Sequence, residues 1–169
     1  MQVENTNISD ISFLEKNKNI KELNLYECRF IEDYKAISNL ENLEKLNIGA
    51  TNILTNNSDI SFLKKNKNIK ELNLRNWWVD DYTIISNLEK LQILILSKAN
   101  ICDISFLKKN KNIKELILDD CMKIKDFSII SNLEKLEKLN LEFDNISDIS
   151  FLEKNKIIKE LILNNCYSI

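Results

Sequence analysis

Ile20-Lys21-Glu22-Leu23-Asn24-Leu25 decides the fold, because the same six-residue pattern returns six more times. The copies begin at residues 43, 69, 91, 113, 136 and 158, so successive starts lie 23, 26, 22, 22, 23 and 22 residues apart. A period of 20–29 residues built on an LxxLxL core is the mark of a stacked solenoid. One such unit is too small to bury its own apolar face, so stability has to come from neighbouring units stacking on it. The 169 residues are accordingly expected to form one domain, 1–169: seven repeats behind a partial N-terminal repeat at 1–19.

Residues 100–118 show what a repeat contains. Leu116, Ile117 and Leu118 follow the alternation of a short strand, with the leucines inward and Glu115, Ile117 and Asp119 outward. Successive strands return through the same connection and must therefore run parallel. Asp103, just before Ile104-Ser105-Phe106-Leu107, is a helix N-cap signal. It recurs as Asp10, Asp33, Asp59, Asp81, Asp126 and Asp148, and a residue repeated in register is scaffold rather than catalyst. The helical segment is expected to bury Ile104, Phe106 and Leu107 and to end near Asn110. Lys108, Lys109 and Lys111 form its solvated face.

Two flavours alternate. D-I-S-F-L follows Asp10, Asp59, Asp103 and Asp148, whereas D-[YF]-x-x-I-S-N-L follows Asp33, Asp81 and Asp126, so the duplicated unit is two repeats long. Together with the LxxLxL cores, the Cys/Thr/Asp position after each core and the I-x-D-I step (Ile101 to Ile104, Ile146 to Ile149), this resembles the 22-residue class of leucine-rich repeats. That class occurs in phosphatase-regulator-type proteins and bacterial internalins. The resemblance implies a right-handed solenoid, with a parallel sheet on the concave side and short α or 3-10 helices on the convex side. It also implies a protein-binding role. Trp77 and Ala99 depart from it at the position where the class places Asn or Cys, and Asn17, Asn66, Asn110 and Asn155 stand where a helix leucine is common.

Composition narrows function by exclusion. There is no histidine, which removes the commonest general base and zinc ligand. The solitary Gly49 cannot make a phosphate-binding loop. A net charge of −2 with interleaved Lys and Glu argues against nucleic acid, which would demand a basic stripe. No apolar run is long enough to span a membrane. No cofactor, metal or catalytic residue is expected; Asp119, Asp120 and Glu142 cluster without a readable ligand geometry. The 22 lysines against 2 arginines, with abundant Asn and Ile, suggest an AT-rich genome. Met1-Gln2-Val3-Glu4-Asn5 has no signal-peptide character, so a cytoplasmic location is expected, with a trimmed secreted chain as the alternative.

Cys28, Cys121 and Cys166 share one register position. Strands about 4.8 Å apart put them at least about 10 Å from each other, beyond disulfide reach. They are expected to be buried free thiols.

Function must lie in the positions that vary between copies. Those beside the strand leucines read Asn24, Asn47, Asn73, Ile95, Ile117, Asn140, Ile162, and the next lane reads Tyr26, Gly49, Arg75, Ser97, Asp119, Glu142, Asn164. A rim lane follows: Glu27, Ala50, Asn76, Lys98, Asp120, Phe143, Asn165. Exposed apolar groups with aromatic and arginine anchors mark contact surfaces. The expected partner-binding residues are Tyr26, Arg75, Trp78, Ile93, Ile95, Ile117, Asp119 and Phe143, with Trp77 turned inward. The first expectation is a non-catalytic protein-interaction module. The second is an assembly unit that self-associates through open solenoid ends. The extra residues 54–58 read as a surface loop.

Overall fold

The computed structural model describes residues 1–51 and 58–166, so most of the expected surface loop, residues 54–57, lies outside the described residues. Among the described residues, seven strands form one parallel sheet in sequence order: β1 Glu22–Asn24, β2 Lys45–Asn47, β3 Glu71–Asn73, β4 Ile93–Ile95, β5 Glu115–Ile117, β6 Lys138–Asn140 and β7 Glu160–Ile162. Each is three residues long and pairs without slip, Leu23 facing Leu46, then Leu72, Leu94, Leu116, Leu139 and Leu161. This in-register stacking buries the inward leucines almost completely from Leu23 to Leu139. Leu161, on the outer strand, stays 42 % exposed. The β1 edge is covered, since Gln2 bridges Asn24 and the Val3 and Asn5 amides donate to the Asn24 and Tyr26 carbonyls.

Among the described residues, seven 3-10 helices of five or six residues line the other side: η1 Ser12–Lys16, η2 Lys35–Asn39, η3 Ser61–Lys65, η4 Tyr82–Asn87, η5 Ser105–Lys109, η6 Ser128–Asn132 and η7 Ser150–Lys154. All seven aspartates act at their starts. Each accepts the backbone N–H two residues on, at 2.7–2.9 Å. Only Asp81 is the N-cap itself; the other six stand one residue earlier, because the tighter helix begins a residue later than expected.

The two-repeat unit has a physical basis in two sets of contacts. Tyr34 stacks on Phe62, Tyr82 on Phe106 and Phe127 on Phe151, with centroids 5.7–5.8 Å apart. Asn66, Asn110 and Asn155 are buried, and each Nδ2 donates to two carbonyls of the preceding helix: Ile37 and Leu40, Ile85 and Leu88, Ile130 and Leu133. Each of these carbonyls already accepts the backbone N–H three residues on, so the asparagine fills its second acceptor site and ties one helix to the next.

The rim lane is left-handed throughout: Glu27, Ala50, Asn76, Lys98, Asp120, Phe143 and Asn165 all have φ between 55° and 62°. None is glycine. The strain is offset by a hydrogen bond from each of the first six N–H groups to the next repeat, such as Lys98 N to Asp119 O at 2.9 Å. Lys98→Gly should therefore stabilise the fold by about 0.5–1 kcal/mol in urea melts, because the αL penalty disappears. The same change at Lys108, inside η5, should destabilise it.

Candidate interaction surface

The outward residues of the sheet are built from the repeat's own turn chemistry. Asn24, Asn47, Asn73 and Asn140 each turn Oδ1 onto the backbone N–H two residues ahead, at 2.8–3.2 Å. Those asparagines are structural. Ile95, Ile117 and Ile162 occupy the same lane and cannot make that bond. Ile95 lies beside Ile117 on the adjacent strand, and Ile93 shares β4 with Ile95. The three are half-buried and form the apolar centre of the sheet. A shallow groove of about 240 Å³ runs to them from β1, floored by Asn24, Asn47, Asn73, Ile93 and Ile95.

In the next lane large side chains lie over small ones. A Cβ added to Gly49 would stand 3.2 Å from the Tyr26 ring and 3.3 Å from Arg75 Cβ, so the glycine makes room for the Tyr26 ring. Arg75 reaches over Ser97 to Asp119 at 3.8 Å, and the Ser97 hydroxyl donates to the same carboxylate. Tyr26, Arg75 and Asp119 are thus pre-arranged by each other and by small neighbours.

Phe143 stands on the rim, 41 % exposed, and Trp78 beyond it is 63 % exposed. Trp77 is fully buried, as its register required. Sequence reasoning did not single out Met122 (61 % exposed) or Phe30 (48 %). Met122 shares the Trp78 position two repeats later, and that shared register is the signal that could have found it.

Below the rim lies the ladder of Cys28, Thr51, Trp77, Ala99, Cys121, Asp144 and Cys166. All four cysteines are free; Cys28 and Cys121 are buried, Cys166 is half-buried and Cys102 is exposed. Cys28, Cys121 and Cys166 each donate Sγ–H to a carbonyl of the preceding repeat, at Val3, Leu96 and Leu141. Burial pushes the Cys121 thiol up to about 12, leaving an inert packing group. Among the described residues no group of three or more His, Cys, Asp or Glu side chains could hold a metal ion. Nor is any described helix long and apolar enough to cross a membrane.

No protein-family model and no curated protein matches the sequence. Solved structures do. Internalin C2 of Listeria monocytogenes superposes with a TM-score of 0.83 at 24 % identity, over 93 % of this chain and 67 % of that one. The fold is a leucine-rich-repeat solenoid. A leucine-rich-repeat protein of Leptospira interrogans matches with a TM-score of 0.75 at 22 % identity, over 93 % of this solenoid and 40 % of its own chain. The functional domain of InlJ from Listeria monocytogenes, which includes a cysteine ladder, matches with a TM-score of 0.62 at 20 % identity. It is covered over 41 % of its length and this solenoid over 92 %. The solenoid therefore spans from two-fifths to two-thirds of these bacterial neighbours.

Proposed function

We propose that this solenoid is a non-catalytic module that binds a protein partner on its concave sheet. The observation that carries the reading is the replacement of turn-capping asparagine by isoleucine at residues 95 and 117. The exchange forfeits a backbone hydrogen bond, and it places β-branched apolar surface at the centre of the outward face. Tyr26 and Arg75, held in place beside the groove, supply anchors of the kind that dominate interfaces.

The test uses the repeat's own alternative. Ile95→Asn and Ile117→Asn should fold as well as the wild type, because asparagine restores the cap seen at Asn73. Against a partner recovered by pull-down and titrated by calorimetry, the double variant should lose 2 kcal/mol or more, about thirtyfold in affinity. Lys64→Ala and Lys108→Ala, on the helices, should change nothing. Weakening by the lysine variants, with the isoleucine variants binding normally, would move the site to the convex side.

A further inference from the structure

The outward lane that opens each strand reads Glu22, Lys45, Glu71, Ile93, Glu115, Lys138, Glu160. Parallel pairing puts these residues side by side. Lys45 shows what the alternation does: its ammonium lies 3.6 Å from Glu22 and 3.0 Å from Glu71, held between two carboxylates. Lys138 repeats the contact with Glu160 at 2.9 Å. At β4 the alternation breaks. Ile93 stands between Glu71 and Glu115, at the place where Lys45 stands between its own pair. Neighbouring strands about 4.8 Å apart leave the two carboxylates about 10 Å from each other across it. Glu71 keeps Lys45, but Glu115 makes no ion pair among the described residues.

The preceding lane is Lys21, Glu44, Lys70, Gln92, Lys114, Glu137, Lys159, and it breaks at the same strand. There Lys70 lies 2.6 Å from Glu44, and the hydrogen bond and charge of Lys159 hold Glu137 below the usual carboxylate range, so Lys114 is left without an ion pair among the described residues. Toward the rim, Asp119 has Arg75, whereas Glu142 bonds only neutral groups. Glu115 and Glu142 are thus carboxylates without an ion pair among the described residues on the face that carries Ile93, Ile95 and Ile117, while Lys98 and Lys114 are the cations left without one in the same repeats.

We propose that β4 is a seat for a lysine or arginine side chain from an extended, partly apolar partner segment. The aliphatic stem lies over Ile93 and Ile95, and the head group lies between Glu71 and Glu115. The inference rests on the concave-face reading and names the partner's chemistry. Complementarity is set by the protein itself: a cation placed there completes the ladder that Lys45 completes two strands away. Lysine and arginine fit because they cover apolar surface with the stem while the charge stays in water.

The probe is a fluorescein-labelled octapeptide of alternating lysine and leucine, compared with one of alternating glutamate and leucine, followed by anisotropy. The wild type should bind the basic peptide about tenfold or more tightly than the acidic one, with the preference shrinking as salt is added. Ile93→Lys supplies the missing cation from within, so it should melt no lower than the wild type and lose the preference. Glu115→Gln should weaken the basic peptide severalfold, whereas Glu153→Gln on η7 should not. The proposal is overturned if Ile93→Lys retains the preference, or if Glu153→Gln weakens binding as much as Glu115→Gln. Its failure is separable from that of the concave-face reading. Loss of the captured partner in the isoleucine-to-asparagine variants, with no basic preference, would sink only the cation seat.

Discussion

Asp144→Asn is expected to make the protein more stable at pH 8 and to flatten its pH dependence. Asp144 stands in the ladder between Cys121 and Cys166 with only 2 % of its surface exposed. One oxygen accepts the Cys121 N–H at 2.7 Å; the other is buried without a partner. Burial pushes this carboxyl up to about 7, and the Asp119 and Asp120 charges push the same way. The cysteines of this ladder donate to a carbonyl of the preceding repeat. The equivalent group for Asp144 is the Leu118 carbonyl, and only a protonated carboxyl has a hydrogen to give it.

The folded-state value lies above the unfolded one, so Asp144 contributes stability that is present below about pH 4 and lost as pH rises to about 7. Carboxylates held low, such as Asp10 and Asp148, act in the opposite sense at more acid pH, which leaves pH 5 to 8 to Asp144. Urea melts should show the wild type more stable at pH 5 than at pH 8, by on the order of 2 kcal/mol. Asparagine keeps the acceptor and brings its own donor. Equal midpoints for the wild type at the two pH values would contradict this account.

Trp77→Ala should cost about 3–5 kcal/mol, the range for emptying a large aromatic site in a packed core. Trp77 is fully buried, and its ring lies 4.9 Å from Tyr34 and 6.4 Å from Phe62. The Tyr82 hydroxyl also donates to its backbone carbonyl at 3.2 Å. One side chain thus crosses the interior from the strand exit to the helices and joins three repeats. Trp78→Ala, one residue away, should change stability by less than about 0.5 kcal/mol, because the side chain is largely in water. Denaturant melts of the pair check both. Similar losses from the two variants would mean that the turn after β3 is rotated from the register described here.

Much of the candidate site was legible before any coordinates. The repeat period assigned Ile93, Ile95 and Ile117 to the outward face and Trp77 to the interior, because a period-two strand leaves no other choice. Less legible was which outward residues belong to the scaffold. Asn24 and Ile95 share a lane in the sequence, yet the first caps a turn and the second caps nothing. Arg75 read as a free anchor, but it spans two strands to Asp119 over a serine. The charge ladder went unread because it runs across the sheet, linking residues 22 to 26 positions apart that lie next to each other only after stacking.

The sequence by itself determined the number of repeats, the parallel order of the strands, the inward leucines and the unpaired state of the cysteines. Each of these follows from spacing within one repeat or from a repeat laid on its copy. Tertiary structure alone decided the left-handed rim, the asparagine bonds to the preceding helix, the titration of Asp144 and the gap at Ile93. Those properties depend on what an adjacent repeat presents at distances of a few ångströms, and hydrogen bonds, desolvation and ion pairing act only at that range.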